Sequence, residues 1–153
     1  MNSPFDLKKF PANIQREGYT LQLANPFAYT INYAALAPAA NPTSGSFQVQ
    51  NDSDFLWLAT SWASDVGGAH TTVSAQTLPL VAVQFLLVSE PFHDSETPLQ
   101  GVAGSAPREP LPQWVPFWIP GGATFKVQAR NYGAAGTTYD LWISFHGLKY
   151  KKG

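Results

Sequence analysis

Residues 114–149 read WVPFWIPGGATFKVQARNYGAAGTTYDLWISFHGLK, and this stretch decides the fold class. Thr124 to Asn131 alternates Phe125, Val127 and Ala129 with Lys126, Gln128 and Arg130. Thr138 to Leu148 alternates Tyr139, Leu141, Ile143 and Phe145 with Asp140, Trp142, Ser144 and His146. Side chains change face at every residue of a strand, so each run can bury one apolar face. Between the runs, Gly133 and Gly136 permit positive φ where a chain reverses, and Pro120-Gly121-Gly122 forms the turn leading in. The pattern predicts an antiparallel hairpin made of these two strands.

Working outward, the same alternation recurs upstream. Phe27 to Tyr33 alternates large and small residues, Ser46 to Gln50 repeats the pattern, and FLWLATSW at 55–62 follows an acidic turn at 51–54. LPLVAVQFLLV at 78–88 is apolar throughout. Its valines, Pro79 and its polar flanks favour a strand with both faces largely buried over a helix. Residues 89–114 hold five prolines and two glycines, a long connection without room for a helix. About eight strands are expected, near 27–35, 45–51, 54–62, 78–89, 97–102, 115–119, 123–131 and 137–149. Eight strands with long crossings point to an all-β, antiparallel two-sheet sandwich of jelly-roll type. An immunoglobulin-like sandwich or a small barrel are the neighbouring alternatives. Residues 1–25 read as an extended N-terminal arm or a terminal strand, and residues 26–153 as one sandwich domain.

Composition narrows the function. The 153 residues are 44% hydrophobic and 14% aromatic, but only 12% charged, about half the usual share. Nine Lys and Arg stand against ten Asp and Glu, so no nucleic-acid footprint is expected. Cysteine is absent, which removes disulfides, thiolate catalysis and cysteine-based metal sites. No apolar run approaches the roughly 20 residues that span a bilayer, and MNSPFDLKKF has no apolar region of a secretory signal. A surface this poor in charge is expected to meet other protein.

Chemistry-bearing residues are sparse. His93-Asp94-Ser95-Glu96 gathers ligand types, but neighbours in one turn rarely converge on a metal. Gly67-Gly68-Ala69-His70 lacks the lysine of a phosphate loop, and no nucleophile elbow is present. His146 lies on a strand face, where a structural role is expected. We therefore expect no enzyme, no cofactor and no metal. Trp62, Trp114, Trp118 and Trp142 offer one competing reading, a glycan-binding platform, although large aromatics also fill cores and interfaces. Arg130, Lys149, Lys151 and Lys152 read as a solvated basic tail.

Several segments carry a resemblance: FPANIQREGYTLQL, NDSDFLWLATSWASD, LPLVAVQFLLV and PFWIPGGATFKVQARNYGAAGTTYDLWISFHGLKYKK. In this order they resemble small β proteins encoded among the structural genes of tailed bacteriophages. The chain resembles the jelly-roll decoration, or cement, proteins of icosahedral heads. The likeness covers most of residues 45–150 through short motifs. It implies a virion protein on the capsid surface, assembled in the host cytoplasm, that binds the major capsid protein and itself as a dimer or trimer. A neck, tail or head-fibre-base component is the neighbouring expectation. The contact residues expected are Phe5, Phe10 and Ile14 in the arm and His70, Phe92, Pro110 and Trp114 in the loops.

Overall fold

The computed structural model describes residues 10–66, 79–105 and 110–153, apart from the side chains of residues 66, 114 and 115. Eleven strands run through these residues: β1 (Asn13–Arg16), β2 (Tyr19–Leu36), β3 (Thr43–Gln48), β4 (Ser53–Val66), β5 (Val81–Leu87), β6 (Glu90–Pro91), β7 (Thr97–Pro98), β8 (Gly104–Ser105), β9 (Leu111–Ile119), β10 (Thr124–Asn131) and β11 (Tyr139–Lys152). They form two sheets. The first has the order β1-β2-β11-β4, with β8 and β9 on the far side of β4; the second has the order β3-β10-β5, with β6 and β7 beyond β5. All pairs are antiparallel except β4 with β8.

The two best-read strands exist but do not pair. β10 lies between β3 and β5, whereas β11 lies between β2 and β4 in the other sheet. The expected hairpin is therefore a crossing between sheets. Its turn is held by Asn131, whose Nδ2 donates to the carbonyls of Leu36 (2.9 Å) and Thr137 (2.8 Å) and whose Oδ1 accepts from Gly133 N–H (2.7 Å). Both inward faces were legible. Phe125, Val127 and Ala129 meet Leu141, Ile143 and Phe145 across the sandwich, all of them buried. Two further expectations change. Eleven strands lie among the described residues, not eight. The strand expected at 97–102 is two residues long, followed by a 3-10 turn (Leu99–Gly101) whose Leu99 is buried. The apolar run is buried or half-buried on both faces along β5 and opens only beyond the strand, where Leu80 (63%) and Val88 (68%) are exposed.

Bulges explain how long strands serve two cores. β4 loses register against β11 at Leu58, so Phe55 and Trp57 before it and Trp62 after it all face the inter-sheet core. Leu56 and Leu58 point the other way. With Leu21, Leu148 and Tyr150 they form a second buried cluster on the outer face of the first sheet. At that bulge the backbones close in on Gly147, where a Cβ would overlap the Leu56 carbonyl oxygen and lie 2.9 Å from the Phe55 ring. A second bulge near the end of β2 coincides with Ala35, which has φ +52 and whose N–H donates to Asp140 Oδ1 (2.7 Å).

Aromatic rings hold the sheets together. Phe145 has its centroid 5.1 Å from Phe47, 5.2 Å from Trp57, 5.3 Å from Phe85 and 5.0 Å from Phe125. Phe47, Phe85 and Phe125 come from the second sheet, Trp57 and Phe145 from the first. Most contacts are edge-to-face, the arrangement that ring quadrupoles favour.

Candidate contact surface

One groove of about 360 Å³ opens at the start of β5, lined by Pro79, Leu80, Ala82, Pro98, Gln100 and Tyr132, with Glu96 beside them. Tyr132 N–H donates to Leu80 O (2.7 Å), which ties the start of β5 to the end of β10 and sets the two side chains together. Leu80 (63%) and Tyr132 (54%) stay exposed there. Glu96 Oε2 accepts from Arg130 Nε (3.0 Å) and from the Tyr132 hydroxyl, and Arg130 lies 4.7 Å from the Tyr132 ring centroid. The Tyr132 and Arg130 donors together hold the Glu96 carboxyl below its ordinary range. The lining is thus apolar, with an ion pair that fixes its tyrosine.

A second cleft, about 340 Å³, lies where the far edges of the two sheets face each other. Trp57, Phe85, Phe92 and Leu111 line it, with His93, Thr97 and Gln113. His93 is structural: its Nε2 accepts from Phe85 N–H (3.0 Å), and its Nδ1 donates to Ser95 O (2.8 Å). Together with the Glu96 pairing, this engages His93 and Glu96 of the 93–96 turn within the fold, while Asp94 stays exposed. Among the described residues no three His, Asp or Glu side chains gather into a metal site.

His146 Nε2 lies 2.7 Å from Ser61 Oγ, a diagonal pair across β11 and β4 on the outer face. Burial holds the imidazole below its ordinary pKa. Asp54 is a buried knot at the opposite end. It accepts from Gly121 N–H (2.8 Å) and Arg16 Nε (3.3 Å), joining the proline-glycine turn and β1 to β4.

The expected contact residues divide. Phe10 and Ile14 pack against the outer cluster of their own chain, and Pro11 O accepts from the Tyr150 hydroxyl (2.9 Å). Phe92 sits in the cleft, 4.9 Å from Phe117 and 5.7 Å from Trp57, and remains 38% exposed. Pro110 immediately precedes β9, the strand that carries Trp114. Phe5 and His70 lie outside the described residues. The structure therefore brings Phe92 to the far-edge side where β9 runs, and Phe10 with Ile14 to the outer face. Of the tryptophans weighed as a glycan platform, Trp62 is in the core and Trp118 packs on Tyr150 and under Arg16. Sequence reading missed Leu80 and Tyr132. Nothing in an unbroken apolar run marks Leu80 as exposed, and Tyr132 was read as part of a turn.

Comparison with family models, with curated proteins and with solved structures found no match to this chain.

Proposed function

We propose that this chain is a non-enzymatic structural protein of a tailed-phage virion, decorating and stabilising the capsid exterior as a cement protein with jelly-roll connectivity. The exposed apolar groove around Leu80 and Tyr132 carries the reading: it is preformed, apolar and rigidly braced, on a chain with few charges. Cementing needs buried area across subunit boundaries and no reaction. An aromatic and an aliphatic anchor in one fixed depression suit that task, since anchors of this kind carry much of an interface's energy. The motif resemblance supports the reading, and the major capsid protein is the partner it implies.

The test is removal and replacement. Heads assembled without the chain should release DNA at lower temperature, and adding the purified protein should restore them. Leu80→Asp should abolish restoration while leaving the protein's own melting unchanged. Burying a leucine side chain contributes about 1.5–3 kcal/mol, so its loss together with a buried charge weakens binding at least tenfold. Heads equally robust without the chain refute the function. Electron microscopy of labelled particles separates decoration, spread over the shell, from a neck, tail or fibre-base component present at one vertex.

A further inference from the structure

The outer edge of β2 is long and, beyond its pairing with β1, unoccupied among the described residues. β11 takes one side of β2 along its length, but β1 covers the other side only at Tyr19–Gln22, with one further bond from Leu23 N–H to Ala12 O. Beyond that point the chain leaves the edge, because Phe10 turns onto the outer cluster. At the other end the link to β3 also leads away: Pro38 bridges Asn131, and Ala40 O accepts from Arg130. Residues 25–36, NPFAYTINYAAL, contain no charged side chain.

Folded proteins usually blunt a free edge with lysine, a bulge, proline or shortness, because its open N–H and C=O groups recruit another strand. Here Pro26 and the bulge at Ala35 stand only at the ends, leaving Phe27–Ala34 unguarded. The unguarded segment also reads almost the same in both directions about Ile31. Ala28 mirrors Ala34, Tyr29 mirrors Tyr33, and Thr30 mirrors Asn32. An antiparallel pairing of this strand with its own copy across a two-fold axis at Ile31 places each residue opposite its mirror. Alanines meet alanines and tyrosines meet tyrosines, with no like charges to oppose. Ala28, Thr30, Asn32 and Ala34 are exposed on the outer face, and Ile31 and Tyr33 are buried on the inner one. A two-fold axis normal to the sheet keeps those faces aligned in both copies.

We infer that β2 is a homodimer edge: two copies of this chain join antiparallel through Phe27–Ala34, making one continuous sheet across both. The pairing needs only this chain, and it stands or falls apart from any capsid. Sedimentation of the full chain over a roughly hundredfold concentration range should show a monomer–dimer equilibrium. Backbone amides in Phe27–Ala34 should gain hydrogen-exchange protection as the dimer forms. In T30K/N32K each lysine faces a lysine, and the dissociation constant should rise by about tenfold or more. In T30K/N32E each lysine faces a glutamate, and dimerisation should return. Both sites are exposed, and circular dichroism should show the same folded monomer throughout.

A wild-type chain that stays monomeric across the range overturns the inference. So does a dimer indifferent to T30K/N32K, which would place the interface elsewhere. Dimerisation seen only after residues 1–9 are removed also overturns it, since the edge would then be filled by the chain's own N-terminal segment.

Discussion

Replacing Phe145 by alanine tests whether the aromatic cluster joins the sheets as described. Phe145 is fully buried, and four rings approach it at 5.0–5.3 Å between centroids. Phe→Ala in a core costs about 3–5 kcal/mol, lost transfer energy plus the cavity left behind. Its neighbours are rings anchored on strands of both sheets, and they have little freedom to collapse inward. The upper part of that range is therefore expected, about 4–5 kcal/mol. With a urea dependence of about 2 kcal/mol/M, the unfolding midpoint should fall by about 2 M. Phe145→Leu keeps most of the buried area but loses the ring-edge contacts, and should cost only about 1–2 kcal/mol. Urea titrations followed by tryptophan fluorescence and by far-ultraviolet dichroism measure both variants and check that unfolding is two-state. A cost below about 2 kcal/mol for Phe145→Ala would mean the sheets close over the gap, and the bracing assigned to these rings would be wrong.

Gly147→Ala should destabilise by about 2–3 kcal/mol, because the obstacle is the Leu56 carbonyl and backbone cannot rotate away; thermal unfolding measures it. Asp54→Ala should cost about 2–3 kcal/mol in urea titration, since Gly121 N–H and Arg16 lose an ionised acceptor, and Asp54→Asn should recover part of it. His146 has a native pKa lowered by burial, so the unfolded chain binds its proton first as pH falls. Its contribution is whole above the ordinary histidine pKa near 6.5 and declines as pH drops from there to the native value. In His146→Gln that part of the stability–pH slope should vanish, while a slope equal to wild type would remove His146 as its source.

Strand positions and inward faces were readable because they are local. Phe125, Val127 and Ala129 alternate with polar residues, and any strand with that pattern buries that face. Pairing was not readable, because it depends on where the chain goes after a turn. Tyr132–Thr138 contains turn-forming residues that fit either a hairpin or an arch between sheets. What sends β11 to the other sheet is Asn131, whose amide bonds to Leu36 and Thr137, one of them far away in sequence. Bulges were hidden for a related reason: the extra residue Leu58 is apolar like its neighbours, and its outward turn exists only against β11. The groove was invisible because exposure of Leu80 follows from its position at the end of a strand.

The β2 edge and the groove are built from different residues on different sheets. β2 belongs to the first sheet with β3 of the second sheet near it, whereas the groove centres on β5 and β7 of the second sheet, with Tyr132 just beyond the intervening β10. Two-fold pairing through Phe27–Ala34 uses none of the residues that line the groove. A cement must hold at least two points of a shell, and a single groove per monomer holds one. Linking two modest sites raises apparent affinity by about 10²–10⁴ when both can engage at once. The T30K/N32K monomer, its groove intact, should thus bind heads far more weakly than wild type, and T30K/N32E should recover. Release rates from immobilised heads measure this. If the monomeric variant dissociates as slowly as wild type, the groove acts alone and two-point attachment is wrong, even though the dimer and the groove would each survive.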